Sequence, residues 1–123
     1  MLHGNREKPN YLGVPSIVFT IPPLARVGLL EDDARERNLR FHVKHEKTST
    51  WYTAKRVAED CAGFKVLIEE DSERILGAHL IGPHADEIIN IFALAIRTGL
   101  TATAVKGAIF GYPTAASDIG YMM

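Results

Sequence analysis

Apolar and polar residues alternate across Leu39, Arg40, Phe41, His42, Val43, Lys44 and His45, a period of two that predicts a strand with one solvated face. Earlier in the chain, Ser16, Ile17, Val18, Phe19, Thr20 and Ile21 form a β-branched and aromatic run bounded by Pro15 and by Pro22-Pro23. Such side chains fit a pleated, half-buried surface, so a short strand is expected there, ended by two prolines that cannot donate to a ladder. Two further apolar runs, 64–70 and 75–82, are separated by Asp71, Ser72, Glu73 and Arg74, a polar loop of hairpin length. These runs should pair antiparallel, with Gly77 marking a bulge or a close backbone approach.

Residues 24–28 read as a turn leading into 30–38, where Glu31, Asp32 and Asp33 precede Arg35 and Arg37. Acids first and bases last is the order that the helix macrodipole favours, and Glu31 with Arg35 and Asp33 with Arg37 make two i,i+4 pairs. A solvated helix is predicted, with a frayed start because Leu30 offers no capping acceptor. Residues 51–61, opening on Trp51 and Tyr52, have no clear period and read as a connection that packs its aromatics.

The longest helix opens at Asp86 and Glu87, closes at Arg97 and stops at Gly99. Between these ends only Asn90 interrupts an apolar body of Ile88, Ile89, Ile91, Phe92, Ala93, Leu94, Ala95 and Ile96. A helix packed on a sheet needs one apolar stripe; one that is apolar nearly all round must be covered elsewhere too, by its own chain or by a second subunit. The next helix, capped by Thr101 and including 102–106, is short and Ala-rich, which favours a subunit interface. Near the end, Tyr112-Pro113-Thr114 reads as a pinned turn, with Thr114 capping a short terminal helix. The whole pattern predicts an α+β fold: an antiparallel sheet of four to five strands with helices packed on one side. Residues 1–10 are polar and without period, a linker or remnant, and 11–123 form one domain.

Composition narrows the partners. With 46% hydrophobic residues over 123, the chain can bury one core, while a net charge of −1 without a basic stripe argues against nucleic acid or an anionic membrane surface. The longest apolar segment falls well short of the roughly 20 residues of a membrane span, and the first residues lack the apolar centre of a signal peptide, so a cytoplasmic location is expected. A single cysteine, Cys61, excludes an internal disulfide or dithiol pair. No metal site is expected: His42 and His45 are three apart on a strand and point to opposite faces, and His79 and His84 have no ligand-spaced Cys or paired acids. There is no Gly-x-Gly-x-x-Gly cradle and no phosphate loop, and Ser117 lacks a neighbouring histidine, so the chain does not read as a self-contained enzyme.

Four motifs in order carry a resemblance: Val14-Pro15-Ser16-Ile17-Val18-Phe19-Thr20-Ile21-Pro22-Pro23-Leu24-Ala25-Arg26-Val27-Gly28, then Ile75-Leu76-Gly77-Ala78-His79-Leu80-Ile81-Gly82, then 87–96, then Tyr112-Pro113-Thr114. From about residue 10 to the end, the chain resembles the C-terminal dimerisation domain of the pyridine nucleotide-disulfide oxidoreductases, flavoproteins of the glutathione reductase, dihydrolipoamide dehydrogenase and mercuric reductase type. The resemblance implies a fragment of a longer flavoprotein, whose FAD- and NAD(P)-binding domains lie upstream, with no cofactor bound by this chain alone. It implies a homodimer whose interface uses Glu87, Asn90, Ile91, Leu94, Arg97, Tyr112, Pro113 and Thr114, with Tyr112 and Pro113 reaching the FAD of the partner subunit.

In that family a His-Pro-Thr turn supplies a catalytic histidine, and a Glu three residues after the Thr orients it. Here Tyr112 stands at the His position and Ser117 at the Glu position, with Asp118 one residue beyond. A phenol, with an ordinary pKa of about 10, is a poor base at neutral pH where imidazole, at about 6.5, is well placed. The catalytic pair is therefore not carried over to Tyr112 and Ser117. A cis bond before Pro113 is expected from the family. A stand-alone dimeric binding or adaptor domain of the same fold, without redox activity, is the alternative.

Overall fold

The computed structural model describes residues 8–123, so the reading of 1–7 lies outside the described residues. Five strands form one antiparallel sheet: β1 (Ser16–Val18), β2 (Leu24–Gly28), β3 (Phe41–Lys47), β4 (Gly63–Glu69) and β5 (Ile75–Ile81). Their order across the sheet is β1-β2-β5-β4-β3, with every neighbouring pair antiparallel. The β4–β5 hairpin is the one predicted, and its irregularity falls between Leu67 and Ile68. Gly77 itself marks a close approach: a Cβ there would stand 2.2 Å from the Leu29 carbonyl oxygen, and one on its cross-strand partner Gly28 would stand 2.3 Å from that of Leu76. Those two glycines let the chain leaving β2 pass directly over β5, where the Leu29 N–H donates to Leu76 at 2.9 Å.

The expected turn at 24–28 is a strand, placed between β1 and β5. Its alternation is short but clean, with Ala25 and Val27 buried and Leu24, Arg26 and Gly28 exposed. Neighbours on both sides satisfy its backbone, which five residues behind a Pro-Pro pair do not advertise. The preceding strand is shorter than its apolar run, ending at Val18, because the chain reverses through 19–23. Thr20 braces that reversal by donating its hydroxyl to the Pro22 carbonyl at 2.7 Å, and the Ile21–Pro22 bond is cis.

Helix α1 (Glu31–Glu36) starts with the Leu30 N–H donating to the Asp33 carboxylate at 3.3 Å, so the missing cap is supplied from inside the helix. Asp33 is thereby used at the helix start, and the expected pair with Arg37 is not among the ion pairs of the described residues. Glu31 does pair with Arg35, at 2.5 Å, and also accepts from Lys65 at 3.2 Å; these two partners, Arg35 first, hold its carboxyl below the usual range. Lys65 lies on the sheet face opposite the core residue Phe64, so α1 rests on that second face. Within 51–61, Tyr52–Lys55 makes a single helical turn, α2, while Trp51 packs against Phe64 and edge-on to Tyr121.

The core lies between the sheet and α3 (Ala85–Thr98), where Ala25, Val27, Phe64, Val66, Ala78 and Leu80 meet Ile88, Ile89, Phe92 and Ile96. Gly99 ends α3 in the left-handed region, with the Leu100 N–H returning to the Ala95 carbonyl at 2.9 Å. Helix α4 (Ala102–Lys106) follows, with Thr101 capping it as predicted by accepting from the Ala104 N–H at 3.0 Å. A terminal 3-10 helix spans Ala115–Met122. Most of the apolar surface of α3 is buried within the chain, more than its near-continuous apolar sequence suggested. The outward remainder is a stripe of Glu87, Asn90, Leu94 and Arg97 with half-buried Ile91. Among the described residues no helix is long and apolar enough to cross a membrane.

Two consequences follow for stability. Gly77→Ala forces a Cβ onto backbone atoms that cannot rotate away, and is expected to cost about 2–3 kcal/mol, read as a lower urea midpoint at unchanged slope. His79, whose Nε2–H donates to the Leu29 carbonyl at 3.1 Å, is held below its ordinary pKa of 6.5 by burial first, then by the nearby Lys65 and Arg26 charges, against a raising effect of the Leu29 bond. The unfolded chain therefore binds the extra proton first, and stability falls as pH drops below 6.5. His79→Gln retains a donor but cannot titrate, so its urea midpoint is expected to change less than that of wild type between pH 7.5 and pH 5.5.

Candidate functional site

The terminal segment is built from a cap outward. Thr114 accepts from the Ser117 N–H at 3.3 Å, and its hydroxyl donates to the Gly111 carbonyl at 2.5 Å. Ser117 answers by accepting from the Thr114 N–H at 3.2 Å and donating to the Thr114 carbonyl at 2.6 Å. This reciprocal cap is the physical reason that the terminal helix begins where the sequence placed it. The Tyr112–Pro113 bond is cis, as expected. Beyond the cap, Ile119 is fully buried, Met122 and Met123 are nearly so, Thr53 donates to Asp118 at 2.5 Å, and Lys44 donates to the main-chain oxygen of Met123. Residues 115–123 are thus fastened to their own domain, and the part that projects is the turn before them.

Tyr112 is 85% exposed and Ile109 fully so, which makes the turn an apolar surface presented to solvent. An open groove of about 600 Å³ runs beside it, lined by Lys44, Lys106, Ile109, Phe110, Tyr112 and Tyr121 among others. Its chemistry is flat aromatic surface flanked by two ammonium groups. Ser117 borders the same groove, but its hydroxyl is engaged in the cap and does not orient Tyr112. Sequence reasoning singled out Tyr112, Pro113, Thr114 and Ser117, which the structure does bring together in one turn. It missed Ile109, Phe110 and Tyr121; the apolar pair caught between Gly107 and Gly111 was the available signal.

The second group of predicted residues lies on α3. Glu87, Asn90, Ile91, Leu94 and Arg97 follow one another along a single stripe, and Leu94 is 60% exposed at its middle. The Asn90 amide bonds back to the carbonyls of Asp86 and Glu87 at 3.1 and 3.3 Å. Arg97 donates to the Leu12 carbonyl at 2.8 Å, drawing residues 11–14 along the end of the helix. Tyr11, Leu12 and Val14 are exposed there, a contact the sequence did not reveal because it spans 85 positions. The terminal helix packs against α3 as well, so the turn and the stripe are carried by elements that share one core.

His42 and His45 pair across the sheet with Ile68 and Lys65, consistent with the opposite faces expected from their spacing. Among the described residues no three His, Cys, Asp or Glu side chains gather as a metal site would require, and Cys61 is free and exposed.

The sequence profile of the dimerisation domain of pyridine nucleotide-disulphide oxidoreductases matches residues 14–123. An "Uncharacterized 19.7 kDa protein in mercuric resistance operon" of Staphylococcus aureus is 50% identical over all 123 residues, which cover 68% of that protein. The dihydrolipoyl dehydrogenase of Chlamydia muridarum is 38% identical over 92% of the chain, but the chain spans only 24% of that enzyme. Among solved structures, the HOCl-induced flavoprotein disulfide reductase RclA of Escherichia coli superposes with a TM-score of 0.88 at 27% identity, over 98% of this chain and 28% of that one. Sequence profile, relatives and fold agree with the five-stranded sheet and its long helix, and the chain belongs to the pyridine nucleotide-disulphide oxidoreductase dimerisation-domain family.

Proposed function

We propose that this chain is the homodimerisation module of an FAD- and NAD(P)-dependent cytoplasmic oxidoreductase, with the Tyr112-Pro113-Thr114 turn completing the flavin site of the partner subunit. The observation that carries the dimer is the outward stripe of α3, where Leu94 and Ile91 remain at the surface of a helix otherwise buried. Exposed apolar groups ringed by Glu87, Asn90 and Arg97 have the anatomy of an interface, with an apolar centre and a polar rim. The turn supports the flavin contact: Phe110, Tyr112 and Tyr121 supply flat surface, and Lys44 and Lys106 supply positive charge beside it. The chain contains no dinucleotide cradle of its own, so FAD would be held by other domains and would supply the electron chemistry. Tyr112 and Pro113 contribute position, because Ser117 is occupied by the cap and leaves no acid–base pair at the turn. One observation favours the alternative of a dimeric binding or adaptor domain without redox activity. The staphylococcal relative, half identical to this chain, is a protein of only 19.7 kDa.

Sedimentation equilibrium of the purified chain should show reversible dimers, and Leu94→Asp, which places a charge in the apolar centre, should weaken them about 100-fold. A wild-type chain that stays monomeric at about 100 μM, a concentration that a weak specific interface still populates, would sink the dimer reading. In a flavoprotein carrying this domain, Tyr112→His is expected to change flavin retention or dimer stability without a gain in thiol-dependent turnover. A sharp rise in that turnover would show instead that proton transfer was what the turn lacked.

A further inference from the structure

The second face of the sheet, opposite α3, carries a line of bases that the sequence does not show. His45 on β3 is paired with Lys65 on β4, Lys65 with His79 on β5, and His79 with Arg26 on β2. These residues are far apart in the chain, and only strand order and register bring them into one row. At about 4.8 Å between neighbouring strands, the row runs for about 14 Å. Alternation sets the face: Arg26 lies between buried Ala25 and Val27, Lys65 between Phe64 and Val66, and His79 between Ala78 and Leu80.

A second row lies two residues along each strand, about 7 Å away. Lys47 is paired with Gly63, Gly63 with Ile81, Ile81 with Leu24, and Leu24 with Val18. The solvated face of an antiparallel sheet is ordinarily polar, yet Leu24 and Val18 are exposed here and Ile81 is half-buried. An open groove of about 450 Å³ is lined by both rows, through His45, Lys47, Lys65, His79, Leu24 and Ile81. A smaller groove of about 200 Å³ shares Leu24 and His79 with it and reaches Arg26 and Val18.

The acids that face these bases do not neutralise them. Glu31 holds Lys65 but also Arg35, and Asp60 alone adds a carboxylate to the lining of the larger groove. Among the described residues Arg26, His45 and Lys47 make no ion pair. The Lys65 and Arg26 charges add to burial in holding His79 below its ordinary pKa, as an uncompensated row would. A single carboxylate can meet only part of such a row, whereas an extended peptide can follow all of it. Successive side chains of an extended segment project to opposite sides and recur on each side about every 7 Å. Three acids on one side therefore span the basic row, while the residues between them lie on the apolar row. We propose that this face binds an extended segment of another protein in which acidic and apolar residues alternate. The acids lie on His45, Lys65, His79 and Arg26, and the apolar residues lie on Ile81, Leu24 and Val18. The proposal is independent of the dimer and flavin readings, which use α3 and the terminal turn.

A fluorescent peptide of about eight residues, alternating Glu and Val, is the probe. Titrated into the purified chain at low salt, it should shift NMR amide signals on the second face alone, with an affinity that falls as salt is added. Arg26→Glu should weaken binding about 10-fold and Leu24→Ser about 5-fold, whereas Arg74→Glu, in the distant hairpin loop, should leave it unchanged. Urea midpoints check each fold, and His45→Glu takes the place of Arg26→Glu should that variant not fold. Peptides alternating Glu with Ser, or Lys with Val, should bind at least about 10-fold more weakly. Inorganic tripolyphosphate binding as tightly as the peptide would reveal a plain anion site, and second-face shifts that follow protein concentration alone would seat a second copy there. Either result overturns the proposal, as does a peptide that does not bind, or one that binds the Arg26→Glu and Leu24→Ser variants as tightly as wild type.

Discussion

The structure depends on the burial of α3. Ile88, Ile89, Phe92 and Ile96 are all buried on this one helix, and at roughly 1.5–3 kcal/mol for each large apolar side chain they account for about 6–12 kcal/mol of burial. That is comparable to the whole net stability of a typical small domain. Everything around the helix is arranged to cover it: the β2, β5 and β4 side chains below, and the terminal helix through Ile119 and Met122 at its flank. The small side chains Ala25 and Ala78 are fully buried in the same core as the larger residues of the sheet. What the cover leaves out is a narrow stripe of Glu87, Asn90, Leu94 and Arg97 with half-buried Ile91.

The terminal segment shows how a domain can fix one part of a tail to expose another. Buried Ile119, the Thr53 bond to Asp118 and the reciprocal cap of Thr114 and Ser117 spend the polar groups of 114–119 locally. The turn before them projects, and Tyr112 stands in solvent. The Ser117 hydroxyl is engaged in the cap and does not reach out to Tyr112. The aromatic groove beside it is formed by residues from β3, α4 and the tail, and exists only once all three are assembled.

Much of this was legible beforehand because it is local. Period-two alternation over 39–45, the polar hairpin loop at 71–74, the acids and Gly99 that bracket α3, and the caps Thr101 and Thr114 are decided by near neighbours, and all are present. The family was legible too, since its motifs are short and ordered. Asp33 shows the limit of local reasoning: spacing pairs it with Arg37, but the unpaired N–H of Leu30 is nearer and has no other acceptor.

The sequence by itself determined the α+β class, most of the elements and the family, because periodicity, capping and turn chemistry act over a few residues. Only the tertiary structure decided that 24–28 is an inner strand, since half of its backbone pairing is with β5, some fifty positions on, and not with the neighbouring β1 alone. The resemblance had named the outward residues of α3, and the tertiary structure supplied the reason: the sheet and the terminal helix cover the rest of an almost uniformly apolar surface. The tertiary structure also placed Arg97 against Leu12 and Lys44 against Met123, contacts 85 and 79 positions apart that no local pattern encodes.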